Sequence, residues 1–315
     1  MKFFITFLML IVVTTFISAQ EKYVTVTMDD LLIALDNAGS IEKIEKASNS
    51  LLNSITKLNI PVTVFVNEKS FLKDGETDRR LAIYKQWAEN PLVTIGNHTY
   101  SHLNYANTSF KEYEEEIIRG ETIAHELLKN TGKELKYFRF PFNCTGKDRA
   151  SREAIYNFLN EKGYINTPFT IESMDYMYNA LYCNYFDNGN KKEAQRILEE
   201  YINFTGELFQ YFETVSQKLY GRNINQIYLC HTNRLNEACF QKLITKLKGI
   251  GYSFISLDET LKDKVYQSKD YYTKHFGISW VYRWIGNSEE RKSLMQKEPY
   301  YEKTEELYNN LMNQK

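Results

Sequence analysis

Behind an uncharged opening stretch, the chain alternates short β-branched, apolar runs with longer stretches whose apolar positions recur every three to four residues. Tyr23–Thr27 (YVTVT), Pro61–Val66 (PVTVFV), Leu92–Ile95, Tyr137–Phe140, Tyr164–Asn166, Gln226–Cys230 (QIYLC) and Ser253–Leu257 read as strands. Ile41–Leu58, Arg79–Glu89, Phe110–Asn130, Arg149–Glu161, Lys191–Tyr220 and Asn236–Lys248 read as helices. Strands alternating with helices of this length imply parallel βαβ units. Seven or so such units in one chain favour an α/β fold, a distorted (β/α)7–8 barrel related to the TIM barrel, over an open doubly wound sheet. No GxGxxG or GxxxxGK[ST] loop follows the first strand, which argues against a dinucleotide or P-loop fold. From about Lys262 the texture changes to YYTKHFGISWVYRW and a charged, helix-prone tail. Residues 20–262 are therefore assigned to the barrel, and 263–315 to a C-terminal extension packed on it.

The first residues set the compartment. Lys2 precedes an uncharged run, Phe3–Ala19, that gives way at once to Gln20, Glu21 and Lys22. One basic residue, an apolar run and a small Ser18-Ala19 end describe a secretory signal, 1–19, cleaved near Ala19. The expectation is export to a periplasmic or extracellular space, with no membrane span once the signal is removed; the other reading is a retained N-terminal anchor. Lys plus Arg (39) nearly cancels Asp plus Glu (40), so no positive field favours nucleic acid. The 24 Tyr suit a large core first and a sugar-binding cleft second. Cys144, Cys183, Cys230 and Cys239 lack CxxC spacing, which weighs against a Cys-based zinc site. A Cys144–Cys183 disulfide is conceivable because both fall in expected loops, though spacing does not set connectivity.

In a parallel barrel the C-terminal strand ends converge on one mouth, so the polar residues there are the candidates for chemistry. Strand one ends in Asp29-Asp30, strand three in Asn97-His98 with His102 four residues on, and strand four in Arg139-Phe140-Pro141-Phe142. A loop beyond strand five holds Asp175-Tyr176, and QIYLC ends in His231. His98 and His102, placed i and i+4 in a helical turn, can point at one ion, and two imidazoles with a carboxylate suit a divalent metal. Two adjacent carboxylates at a buried strand end repel unless a cation or a base role separates them. Each feature alone also has an ordinary reading, as a surface HxxxH, an N-capping Asp or a satisfied polar residue. His125 and His275 lack partners at metal spacing and default to packing or surface roles.

Taken in order, these pieces resemble the polysaccharide deacetylases of the NodB-homology, carbohydrate esterase family 4 type, over roughly Tyr23–Leu261. Thr27-Met28-Asp29-Asp30 resembles TFDD, and His98-Thr99-Tyr100-Ser101-His102 resembles H-[ST]-x-x-H. Arg139-Phe140-Pro141-Phe142 resembles R-x-P-[FY], and Leu229-Cys230-His231 resembles L-x-H. Glu172-Ser173-Met174-Asp175-Tyr176 resembles D-[SA]-x-D-W with two substitutions, which makes it the weakest match. The resemblance implies a NodB-like barrel that holds one divalent metal, zinc first and cobalt, nickel or manganese as alternatives, on Asp30, His98 and His102. Asp29 would be the base, oriented by Arg139, and His231 the acid, held by Asp175. The Phe142 N–H would serve the oxyanion, while Tyr176 and Leu229 would line an acetyl pocket. The implied partner is an acetylated glycan. A hydrolase of small amides on the same scaffold and a non-catalytic glycan-binding relative are the competing readings. The stretch 191–220 is read as an enlarged helical layer, and Gly277–Trp284 as buried against the barrel first and reaching the cleft second.

Overall fold

The computed structural model describes residues 21–314. The signal expected at 1–19 lies outside them. The described residues form eight strands: β1 (Lys22–Asp29), β2 (Val62–Val66), β3 (Val93–Asn97), β4 (Tyr137–Phe138), β5 (Ile165–Asn166), β6 (Ile171–Glu172), β7 (Gln226–His231) and β8 (Tyr252–Phe254). All pair in parallel, in the order β5-β4-β3-β2-β1-β7-β6, with β8 also on β1. Val62–Val66 is buried throughout and β1 is buried from Val24 on, as befits strands covered on both faces. β5 and β6 end the sheet, and no described pairing joins them. The barrel is therefore open on one side.

The helices pack around this sheet by apolar stripes. Ile41–Leu58 buries Ile41, Ile44, Ser48, Leu51, Leu52 and Ile55, a helical period, and stops at Asn59 in the left-handed region. Lys191–Tyr220 is one helix of 30 residues, capped by Asn190 and ended by Gly221 at φ 67°. Its Tyr201, Phe204, Phe209 and Phe212 are all buried. The expected helix at 110–130 is broken into Phe110–Arg119 and Thr122–Leu128. Two elements carry no strong sequence signal, the two-residue β6 and the helix Asp175–Asp187, and the strand expected at 137–140 is cut to the two residues of β4.

Residues beyond 263 wrap across the open side. Trp280 N–H donates to the Phe169 carbonyl (2.9 Å) and the Ser279 hydroxyl to the Thr170 carbonyl (2.6 Å), both in the linker between β5 and β6. Trp280 is buried, with its ring edge-on to Phe169. The Cys144–Cys183 bridge is not formed. Cys144 lies buried against the Gly146 carbonyl, while Cys183 sits inside the helix Asp175–Asp187 beside the Asn179 amide.

Candidate active site

All ten candidate residues meet at the C-terminal mouth of the sheet. β1 and β7 run in register so that Asp29 pairs with His231, which puts one carboxylate beside one imidazole. Asp30 follows β1 at φ 62°, a left-handed turn that sends its side chain away from the strand alternation. His98 leaves the end of β3, and His102 returns to the same point.

The histidine turn is not helical as the spacing suggested. Thr99 and His102 both have positive φ, at 66° and 62°. Asn97 Oδ1 accepts the Thr99 N–H (2.8 Å), Thr99 Oγ1 accepts the His102 N–H (3.1 Å), and Glu116 accepts both the N–H and the hydroxyl of Ser101 (2.7 Å each). Side-chain acceptors thus replace helical carbonyls. Gly120 makes this possible from the other side: a Cβ there would lie 2.6 Å from the Thr99 carbonyl carbon. Of the non-glycine residues with positive φ, Asp30, Thr99, His102, Phe142, Asn143 and Met174 all lie in these mouth loops. Such concentration of strain marks a functional region.

Donor atoms of Asp30, His98 and His102 lie within 4.8 Å of one another. Asp30 Oδ1 is 3.6 Å from His98 Nε2 and 3.4 Å from His102 Nε2, and although buried it has no hydrogen-bond partner. A buried carboxylate oxygen without a partner is costly unless a cation satisfies it. His98 Nδ1 lies 2.7 Å from the Arg139 carbonyl, which only accepts, so Nδ1 carries the proton and Nε2 offers its lone pair inward. Burial lowers both imidazoles to about 4, so they are neutral ligands at neutral pH. Burial also raises the Asp30 carboxyl. This donor set, two neutral imidazoles and one carboxylate oxygen in need of a cation, fits a divalent metal.

Asp29 is 3 % exposed and receives a 2.8 Å bond from Arg139 Nη1. That fully buried guanidinium also donates to Thr27 Oγ1 (2.7 Å) and to the Thr167 and Pro168 carbonyls. Opposite, His231 Nδ1 is 2.6 Å from Asp175 Oδ1, and its backbone N–H donates to Asp175 Oδ2 (2.7 Å). Burial would lower the imidazole, but Asp175, aided by Asp30 and Asp29, carries it up to about 10. Burial would likewise raise Asp175, yet the His231 ring and its hydrogen bonds hold it low. Asn233 and Asn236 donate to the same carboxylate at 2.8 and 2.7 Å, and Tyr201 donates to Asn236 Oδ1 (2.9 Å). The long helix thereby reaches the site indirectly. These supports were not identified from sequence; Asn233-x-x-Asn236 directly after His231 was the available signal.

A cavity of about 520 Å³ opens over these groups. Phe142, Tyr176 and Leu229 line it as expected positions on its wall, and so do Phe169 and Phe276, which sequence reading missed, and Glu172, named there only as the first residue of the weakest motif. Phe142 (φ 55°) has no acceptor for its N–H among the described residues, and its carbonyl takes the Gly277 N–H at 3.0 Å. Tyr176 begins a helix rather than a loop, and Tyr308 meets its ring edge-on. Gly277–Trp284 is buried from Trp280 on, but its first residue, Gly277, forms part of the cavity wall.

The chemistry available is that of an amide or ester hydrolase: a cation site, a buried carboxylate on one side and a protonated imidazole on the other. Comparison with known proteins gives a family match over part of the chain and likenesses of fold. The sequence profile of the polysaccharide deacetylase family matches residues 17–154, which contain β1 to β4 and hence Asp29, Asp30, both histidines, Arg139 and Phe142. No curated protein sequence matches the chain. Among solved structures, a polysaccharide deacetylase from Bacillus cereus shares the fold at TM-score 0.50 and 18% identity, over 75% of this chain and 92% of that one. A family 4 carbohydrate esterase from Streptomyces lividans, in complex with acetate, superposes at TM-score 0.43 and 18% identity, over 75% and 93%. A carbohydrate esterase family 4 pseudoenzyme from Bacillus anthracis superposes at 0.48 and 17%, over 76% and 66%.

Proposed function

We propose that this chain, which carries a polysaccharide deacetylase domain, is a secreted, metal-dependent enzyme that hydrolyses N-acetyl groups of an amino-sugar glycan. The observation that carries the reading is the pairing of a buried carboxylate and a charged imidazole across one cation site, with Asp29 and His231 in register on adjacent strands.

Asp30, His98 and His102 would hold the metal, zinc being the first choice for this donor set. When bound, the ion supplies Lewis acidity toward the acetyl carbonyl and eases ionisation of the attacking water. Asp29, fixed by Arg139, accepts the water's proton. The Phe142 N–H, without a protein acceptor, is positioned to donate to the developing oxyanion. His231 donates its proton to the departing nitrogen, and Asp175 keeps that proton on the ring at neutral pH. Tyr176 and Leu229 enclose the acetyl methyl.

Acetate release from acetylated chitin-like and peptidoglycan oligosaccharides, with and without a chelator, tests the reading. Release lost on chelation and restored by zinc is the expected result. Glycan binding without release would instead identify a non-catalytic relative, and release from small amides alone would move the substrate class.

A further inference from the structure

Beside the catalytic cavity lies a second one of about 440 Å³, and the two share Phe169, Glu172 and Gly277 as a common wall. The volume accommodates one sugar ring, at the lower end of the range for small-molecule sites. Most of its remaining lining comes from the C-terminal extension, including Tyr282, Met295, Glu298 and Tyr300. Its only charged lining groups are two carboxyls. Glu172 uses Oε1 to accept the Met174 N–H (2.6 Å), and Glu298 uses Oε2 to accept the Tyr282 hydroxyl (2.6 Å). Among the described residues no donor reaches the second oxygen of either. No Lys, Arg or His lines the chamber. Burial raises both carboxyls, Glu172 to about 7, and Glu298 adds to the rise at Glu172. A cation placed between them would relieve that repulsion. Tyr300, 52% exposed, offers a ring face at the rim.

We infer that this chamber is a subsite for an unacetylated hexosamine residue, its ammonium between Glu172 and Glu298, next to the acetylated sugar in the catalytic cavity. The inference rests on the glycan deacetylase reading. It makes the enzyme selective for chains that already carry free amines, since charge complementarity favours the ammonium over an acetamide.

The test uses the metal-free secreted chain at pH 6.5 and ligand-observed NMR titration with glucosamine, N-acetylglucosamine and glucose. Two variants accompany it. E298Q removes the charge while keeping an oxygen for Tyr282, and M295W fills the chamber; thermal melts confirm that both fold. Glucosamine is expected to bind at least tenfold more tightly than either neutral sugar, and both variants to weaken it tenfold or more. Equal binding of the neutral sugars, no loss in E298Q, or no glucosamine binding overturns the subsite. Acetate release with zinc is read on the same preparations. Release without chamber binding removes the subsite and leaves the hydrolase; chamber binding without release does the reverse.

Discussion

His231 and Asp175 decide how the site responds to pH. In the metal-free protein the imidazole keeps its proton up to about 10, whereas an unfolded histidine loses it near 6.5. Between those values the folded state binds more protons, so stability falls as pH rises, by about 1 kcal/mol per unit from this group. Urea midpoints at pH 7, 8 and 9 should decline, and Asp175→Asn should flatten the decline. The same substitution should bring the alkaline limb of kcat to lower pH. Tyr201→Phe, which frees the Asn236 amide, should cause a smaller shift in the same direction. His231→Ala should reduce release from N-acetyl sugars by 100-fold or more and from an activated O-acetyl ester far less, because an amine leaves poorly without a proton. Arg139→Met leaves Asp29 buried without its partner and should cost about 3–5 kcal/mol in thermal or urea unfolding. Residue types and order singled out Asp29, Asp30, His98, His102, Asp175 and His231 as carboxylates and imidazoles near strand ends, whereas the roles of Arg139, Phe142, Tyr176 and Leu229 came from the motif resemblance. Of their supports, Tyr201 was not readable, because it acts through contacts between segments distant in sequence, whereas Asn233 and Asn236 left a signal close behind His231.

At the level of elements, long periodic segments were plain in the sequence, and short ones were not. Ile41–Leu58, Arg149–Glu161 and Lys191–Tyr220 match their expected bounds because each carries several turns of apolar period. β6 has two residues, too few for any alternation to show, and its place is set by pairing with β7. The histidine turn failed as a helix because side-chain acceptors, not the i−4 carbonyls, take its N–H groups. Its geometry depends on the neighbouring helix. Gly120→Ala should force the Thr99 backbone away, cost about 1–3 kcal/mol, and weaken zinc binding measured by competition with a chromophoric chelator. A variant that lost stability yet kept zinc affinity would show the turn to be indifferent to Gly120.

For the whole molecule, the proposed metal site would link metal binding to folding. Zinc held by Asp30, His98 and His102 would bind only the folded chain, so at a hundredfold excess over Kd it should add about 2.7 kcal/mol. The melting temperature should rise with zinc in the parent and not in His98→Ala, with no activity assay involved. The barrel class followed from element alternation, and the family resemblance from the motifs at the strand ends. The open side between β5 and β6 did not, since closure depends on which edges meet and not on any local pattern. The reach of the tail into the mouth was only the second reading of Gly277–Trp284, since Gly277 has no side chain to signal it; a Cβ there would lie 2.2 Å from the Asn143 Cβ.

That tail is anchored by Arg283, which is buried and donates to the Asn143 carbonyl (3.1 Å) and the Thr145 hydroxyl (2.8 Å), directly behind Phe142. On the proposed reading, bond cleavage rests on residues up to His231, while the chamber for the neighbouring sugar is built mostly by the last fifty residues and shares Glu172 with the catalytic cavity. The two can drift apart over time: new tails can redirect an unchanged catalyst toward other polymers, so long as the arginine peg keeps its grip on the loop.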